Sequence, residues 1–320
     1  MAGRIRSPAA GGQGCGRHGG PFESAGLPWR PGTGALDPPE TMPDPALTDP
    51  SVVNPAALLA ARAEFDAIDD AVHDLLMRRA ALSATLAAQG MKAGGASFRP
   101  GREAMILRRL LGRHAGPMPR AALARLWREL IGTSLRQQSD FSVAAVAGTE
   151  MLARGHFGLE TPLRPQATPA AALAALEAGE CSVAVLPSPA DGEAPEAAWW
   201  AGLDAPGPQV VAALPFLMRP GQSVPSALVL ARFGADATPR DRGLLRLERA
   251  PGTARDAVAA ALAAAGLPPR RLLASADGRR MLAEVEGLVA PGDPRLAPLA
   301  PFRAAPIGGY AEPEPDGAPA

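Results

Sequence analysis

LLAARAEFDAIDDAVHDLLMRRAALSATLAAQ, Leu58–Gln89, is the stretch whose reading decides the fold. Its apolar residues include Leu58, Leu59, Phe65, Ile68, Val72, Leu75, Leu76, Leu82 and Leu86, a spacing that predicts a helix. Asn54-Pro55 supplies an N-cap residue and a proline suited to the first helical position, and Gly90 closes the run. One helix of about 35 residues is roughly 50 Å long at 1.5 Å per residue. That length is unusual for a globular domain and implies a partner along it.

After the glycine-rich loop GMKAGGAS, the segment FRPGREAMILRRLLGRH (98–114) opens a second helix near Pro100, with Met105, Leu107, Leu110 and Leu111 on its apolar side. It stops near Gly116-Pro117. Arg99 and Arg102 stand at its start, where cations meet the positive end of the helix dipole and are mildly unfavourable. A third helix runs from about Pro119 to Ser139, carrying Leu123, Leu126, Trp127, Leu130, Ile131 and Leu135. Residues 54–140 are thus expected to be all helical.

Beyond Phe141 the period changes. VAAVAG (143–148), CSVAVLPSP (181–189), QVVAALPFL (209–217) and SALVLARF (226–233) read as strands, with a helical turn at MLARGHFG and a helix at TPAAALAALEAGE. Alternating strands and helices predict a small α/β unit over 141–235. DATPRD (236–241) reads as a linker. LLRLERA, TARDAVAAALAAAGL, RRLLAS and RMLAEVEGLV then give strand, helix, strand, strand. A short helix near Asp293–Leu299 would complete a ferredoxin-like α+β module over 242–310, followed by a loose tail, 311–320.

Composition narrows the function classes. Lys+Arg and Asp+Glu balance at 32 each in 320 residues, so no global field points to nucleic acid or an anionic membrane. No run of 18 apolar residues suggests a membrane span. Cys15 and Cys181 lie in dissimilar segments, which favours free thiols and a reducing cytoplasm. The four histidines show no metal-ligand spacing. Residues 1–50 hold 10 Gly and 9 Pro without period, so 1–53 is expected to be a disordered extension, with Met42 as an alternative start.

Several polar residues sit oddly in 54–140. Arg62 and Arg79 border the apolar stripe of the first helix, Lys92 lies in the loop, Arg102 and Glu103 open the second helix, and Ser134 and Gln138 form an i, i+4 pair on the third. On their own they read more readily as solvated charges on amphipathic helices.

The combination resembles the all-helical class of chorismate mutase. LLAARAEFDAIDDAVHDLLMRRAALSATLAAQ is similar to that family's first helix, RPGREA to the opening of its second, and SLRQQ to the end of its third. About 85 residues are covered. The resemblance implies catalytic roles for Arg79, Lys92, Arg102, Glu103 and Gln138 and substrate-binding roles for Arg62 and Ser134. Lys92 stands two residues past the ungapped position of the family's lysine, Gly90, and Arg99 occupies a place that is often acidic. The implied reaction converts chorismate, a dianion, to prephenate by an intramolecular rearrangement that needs no metal or cofactor. Arginine forks suit its two carboxylates. Lys92 and the Gln138 amide would serve the ether oxygen, and Glu103 would accept from the substrate hydroxyl and hold neighbouring arginines in place. Arg62 and Arg79 are 17 residues apart, about 25 Å of helix, so one small dianion cannot touch both. An intertwined homodimer with shared sites follows.

The downstream half resembles the bifunctional chorismate mutase–prephenate dehydratase architecture. AVAGTEMLARGHFG and ALEAGECSVAVLPSP are weakly similar to the dehydratase's first lobe. The family's Thr-Arg-Phe triplet falls on Ser226-Ala227-Leu228, so dehydratase activity is expected to be absent. LLRLERAPGTARDAVAAALAAAGL and LAEVEGLV resemble an ACT domain, whose effector motif would fall near Ala274-Ser275-Ala276-Asp277. The reading is a multidomain chorismate mutase of aromatic amino-acid synthesis. Its rivals are a non-catalytic chorismate- or prephenate-binding regulator, and a ligand-binding α/β part for which the mutase-like helices serve as dimeriser.

Overall fold

The computed structural model describes residues 54–89, 97–204, 206–250 and 252–317. The expectations for 1–53 and for the loop that holds Lys92 lie outside the described residues. By contacts the chain divides into a short part ending at Glu64 and a body from Phe65 onward.

Helix α1 is Pro55–Ala88, and the Asn54 carboxamide oxygen accepts from the Ala56 N–H at 3.0 Å, as expected of an N-cap. Within α1 only Ser83 is buried. Its apolar stripe faces solvent, with Phe65 67 % and Leu75 64 % exposed. Helix α2 is Pro100–Gly112 and α3 is Arg120–Gln138. Arg99, at the N-cap of α2, makes no side-chain cap. Instead its guanidinium pairs with Asp236 at 3.1 Å, so the carboxylate offsets the positive charge that the helix end disfavours.

The body is built on one nine-stranded sheet. Its strands are β1 Val143–Val146, β2 Leu163–Gln166, β3 Val183–Pro187, β4 Gln209–Leu214, β6 Ala227–Ala231, β7 Asp241–Glu248, β8 Pro269–Ala274, β9 Arg280–Glu286 and β10 Ala305–Ala311. A separate two-stranded pair joins β5 Leu217–Met218 to β11 Glu314–Pro315. The order in the large sheet is β2-β1-β3-β6-β4-β10-β7-β9-β8. Helices α4 (Glu150–Phe157), α5 (Pro169–Glu177) and α6 (Arg255–Ala264) cover it.

The continuous apolar runs of the central strands have a direct cause. Val143, Ala145, Val183, Val185, Val229 and Ala231 pack on one face with Phe98, Leu135 and Phe157. The alternate residues Ala144, Ala184, Leu186, Leu228 and Leu230 pack on the other with α5 and Trp200. Because both faces are covered, the period of two is hidden in the sequence.

Residues 241–311 order their strands β10-β7-β9-β8, all antiparallel, with α6 between β7 and β8. This is the strand order of a ferredoxin-like module. Three sequence expectations change here. The helix near Asp293–Leu299 is a 3₁₀ segment, Pro294–Phe302, with Pro298 and Pro301 inside it. The supposed linker 236–241 ends within β7 at Asp241, whose carboxylate accepts from the Thr238 N–H and hydroxyl. The module is joined edge to edge to the α/β strands, through a parallel pairing of Gly308 with Val210. Gly308 has φ +108°, and a Cβ there would stand 2.3 Å from the Val210 carbonyl oxygen, so only glycine fits the seam.

The tail from 311 is not loose as far as Asp316. The Glu314 N–H donates to the Phe216 carbonyl at 2.7 Å and the Asp316 N–H to the Met218 carbonyl at 2.8 Å. Arg108 of α2 holds the same strap, donating to Glu314 at 2.8 Å, to the Glu312 carbonyl at 2.6 Å and to the Arg240 carbonyl at 2.9 Å. Helices α2 and α3 therefore pack against the body rather than standing as a separate bundle. Gly132 permits the closest approach: a Cβ on it would lie 2.0 Å from the Phe157 carbonyl oxygen at the end of α4. No helix of the described residues is long and apolar enough to cross a membrane.

Candidate functional site

Two i, i+4 pairs mesh between α1 and α3. The Arg79 guanidinium Nη1 donates to the Ser134 hydroxyl at 2.8 Å and to the Leu130 carbonyl at 2.9 Å. One turn on, the Gln138 amide Nε2 donates to the Ser83 hydroxyl at 2.7 Å. Both pairs span 55 residues, so the two helices advance together and run in the same direction here. Ser134 in turn donates to the Leu130 carbonyl at 2.8 Å, which leaves its oxygen to accept from Arg79. Half-burial lowers the Arg79 pKa from its ordinary value, yet a guanidinium remains charged. The residues expected from the sequence at this point, Arg79, Ser134 and Gln138, thus share one stripe. Ser83 is the member that sequence reading missed. Its signal was a hydroxyl one turn beyond Arg79, on the same face.

Of the remaining expected residues, Arg102 is exposed on the first turn of α2. Arg62 is exposed on α1, within the short N-terminal part. Lys92 lies outside the described residues.

Glu103 is 6 % exposed, and its Oε2 accepts from Arg128 Nη1 at 2.8 Å. Arg128 lies six residues before Ser134 on α3, about 120° around the helix, so Glu103 meets a different face. The reason is geometric. Successive residues of a helix point about 100° apart, so exposing Arg102 turns Glu103 toward the body.

Behind this pair stands His156 of α4, 6 % exposed, with Nε2 3.4 Å from Arg128 Nη1. A guanidinium only donates, so Nε2 accepts and the ring proton sits on Nδ1. Burial, then the Arg128 charge, push the His156 pKa well below 6.5, so the ring is neutral. Burial lowers the Arg128 pKa as well, opposed by Glu103. Phe98, Phe157 and Phe216 enclose the group: Phe157 is 4.6 Å from the imidazole and Phe216 is 5.5 Å from the Arg128 guanidinium, centroid distances. Sequence reading passed over Arg128 and His156; α3 also carries the exposed Arg125 and Arg136, from which pattern alone does not set Arg128 apart.

Among the described residues no three His, Cys, Asp or Glu side chains gather in a way that could hold a metal. The Arg79–Ser134–Gln138 stripe offers charge and hydrogen-bond donors, which suits binding and electrostatic stabilisation of an anion.

Comparison with known proteins bears on this stripe. Residues 61–139 match the family model described as chorismate mutase type II. A bifunctional chorismate mutase/prephenate dehydratase of Stutzerimonas stutzeri is 31 % identical over 139 residues, covering 41 % of this chain and 38 % of that protein. One of the same description from Neisseria gonorrhoeae is 32 % identical over 105 residues, covering 32 % of this chain and 28 % of its own length. The chain thus spans less than two fifths of the curated relatives it matches. Among solved structures, a prephenate dehydratase from Streptococcus mutans overlaps 54 % of this chain and 99 % of its own, at 15 % identity and a TM-score of 0.38. Residues 61–139, which carry Arg79, Ser134 and Gln138, are thus the segment that matches the chorismate mutase type II family model.

Proposed function

We propose that the chain is a chorismate mutase, converting chorismate to prephenate. The observation that carries the proposal is the Arg79–Ser134 contact at 2.8 Å, within the segment that matches the mutase family. The reaction is intramolecular, so the protein's task is to hold a compact conformer and to stabilise charge on the ether oxygen. Arg79 takes one carboxylate, with Ser134 fixing the guanidinium. Arg102, at the positive end of α2, adds a second cation to the same anion. The Gln138 amide exchanges Ser83 for the ether oxygen. Lys92 closes the site from the loop. Glu103 has no contact with substrate in this scheme and acts by holding Arg128.

Arg62 reaches the site from a second copy of the chain. The exposed apolar stripe of α1 supports this, since Phe65, Ile68, Leu75 and Leu82 are each more than half exposed and a second α1 would cover them. In the same proposal the α/β strands have no dehydratase activity. No guanidinium stands at Ser226-Ala227-Leu228, where Ser226 instead accepts from the Gln222 amide at 3.0 Å. Residues 242–310 are an ACT-like module.

The test follows the loss of chorismate absorbance. Turnover in the wild type, reduced about 10²-fold or more in Arg79→Ala and Arg102→Ala, supports the enzyme. Mixing Arg62→Ala with Arg79→Ala restores part of the activity if the sites are shared. No recovery despite demonstrated subunit exchange would sink the dimer. Phenylpyruvate formed without added acid would overturn the claim about dehydratase. A second reading, a non-catalytic chorismate- or prephenate-binding regulator, is favoured by one observation, the engagement of Glu103 with Arg128. Tight binding without turnover would select it.

A further inference from the structure

Strand β6 separates two ends of the sheet. Ser226 stands just before its first residue and Arg232 just after its last, about 20 Å apart at roughly 3.3 Å per residue. At the Arg232 end, where β1 and β3 begin and α3 stops, lies a cavity of about 260 Å³. That is a little below the usual range for small-molecule sites, so it suits a small ligand. None of Arg79, Ser83, Ser134 and Gln138 lines it.

Its floor is apolar and preformed. Phe98, Phe141 and Phe233 line it, with the Phe98 ring edge-on to Phe141 at 5.7 Å and to Phe233 at 6.3 Å, centroid distances. All three belong to the core beneath the central strands. Hydroxyls stand above this floor, from Ser97 ahead of α2, Ser139 at the end of α3 and Ser182 ahead of β3. The Ser182 oxygen accepts from the Ser142 N–H at 3.2 Å, which leaves its own hydrogen to donate. The Ser139 hydroxyl reaches the Leu135 carbonyl at 3.4 Å, a long and weak bond that a better acceptor displaces.

Arg232 supplies the charge. Its guanidinium rests against the turn that ends α5, where a Cβ on Gly179 would stand 2.9 Å from Nη1. It is exposed, and it has neither a hydrogen bond nor an ion pair among the described residues. No acid lines the cavity, and the neighbouring Asp140 and Glu180 are exposed outside it.

We propose that this cavity binds a phosphate monoester with a small apolar body. Arg232 and the hydroxyls of Ser139 and Ser182 hold the phosphate, and the body lies on Phe233 and the edges of Phe98 and Phe141. The three terminal oxygens of a phosphate point in different directions and can take a guanidinium fork and two hydroxyls together. The two oxygens of a carboxylate lie in one plane and engage the fork alone. The aromatic floor rewards the body, so a bare anion uses only part of the complementarity.

Titration calorimetry of the full chain with phenyl phosphate tests this. The expected result is one saturable site per chain, with phenylacetate and inorganic phosphate each bound at least about tenfold more weakly. Arg232→Gln, at an exposed position without hydrogen bonds, weakens phenyl phosphate binding by about tenfold or more, and Arg232→Lys, which keeps the charge but not the fork, by less. Ser139→Ala weakens it by about threefold or more. Arg219→Gln, beside Ser226 at the opposite end of β6, leaves it unchanged. Absence of saturable binding, either control bound as tightly as phenyl phosphate, unaltered affinity in Arg232→Gln, or loss of binding in Arg219→Gln would each overturn the proposal. None of these outcomes depends on turnover of chorismate.

Discussion

The Glu103 carboxylate and the Arg128 guanidinium meet at 2.8 Å with 8 % and 7 % of their side chains exposed, and they tie the first turn of α2 to the middle of α3. Two charges so deep are costly to bring out of water, and their pairing offsets part of that cost. His156 stands against both, its Nε2 4.0 Å from Glu103 Oε2.

Removing one partner is therefore worse than removing both. Arg128→Met or Glu103→Leu alone should lower stability by about 3–5 kcal/mol, because each breaks a 2.8 Å ion pair in a buried site. The Glu103→Leu, Arg128→Met double variant should recover most of that loss. Urea denaturation of the three variants, arranged as a double-mutant cycle, checks it.

His156 makes stability sensitive to mild acid. Its folded pKa is depressed well below 6.5, so below that value the unfolded chain binds a proton that the folded chain refuses. Stability is fully present above about pH 6.5 and falls as the pH drops through the window beneath it. Arg128⁺ opposes protonation of the ring, while Glu103 at 4.0 Å is already engaged by Arg128. Thermal unfolding from pH 7.5 to 5 should show a downward slope that is shallower in His156→Gln. Equal slopes in the two proteins would refute it.

Gln138 gives the proposed reaction a pH signature. An amide donates at every pH, whereas a carboxyl donates only when protonated. Gln138→Glu should retain activity in acid and lose it toward neutrality, while the wild type changes little over the same range. A pH profile of kcat/KM on both proteins measures this.

Gly132 tests how closely α3 must approach α4. Alanine would favour the helix by about 1 kcal/mol if nothing else changed. Here its Cβ would fall 2.0 Å from the Phe157 carbonyl oxygen, a backbone atom that cannot swing aside. Overpacking of this kind costs about 3 kcal/mol or more and outweighs the gain. Gly132→Ala should unfold at lower urea than the wild type, and Gly112→Ala, with open space around it, at equal or higher urea.

Asp293 offers a control in which the sign is set by exposed partners. Side-chain and backbone bonds from Arg295 lower its pKa from 3.8 to about 2. A depressed carboxylate contributes stability above its unfolded value, and that contribution is lost as the pH falls from about 4 toward 2. The carboxyl resonance in an NMR titration should show the low midpoint, and Arg295→Ala should return it toward 3.8.

What the sequence by itself determined were the elements whose pattern is local. Helices α1, α2 and α3 follow from apolar spacing, from Asn54-Pro55 and from the prolines before α2 and α3. Strands β1, β3, β4, β6, β7, β8 and β9 follow from short apolar runs between turn residues. Arg79, Ser134 and Gln138 were legible because a helical period places Ser134 and Gln138 on one face, and a family resemblance supplied the first helix that meets them. Tertiary structure alone decided the rest. LRPQ, APIGGYA and EP carry no strand period, and they become β2, β10 and β11 only because neighbouring strands offer them hydrogen bonds. That the arginine held by Glu103 is Arg128, 25 residues away, was set only by the packing of α2 on α3. The single sheet likewise rests on Gly308 meeting Val210 nearly a hundred residues earlier. Periodicity reports which way a side chain points within its own element. What it meets there is set by contacts between distant segments, and those exist only once the chain has folded.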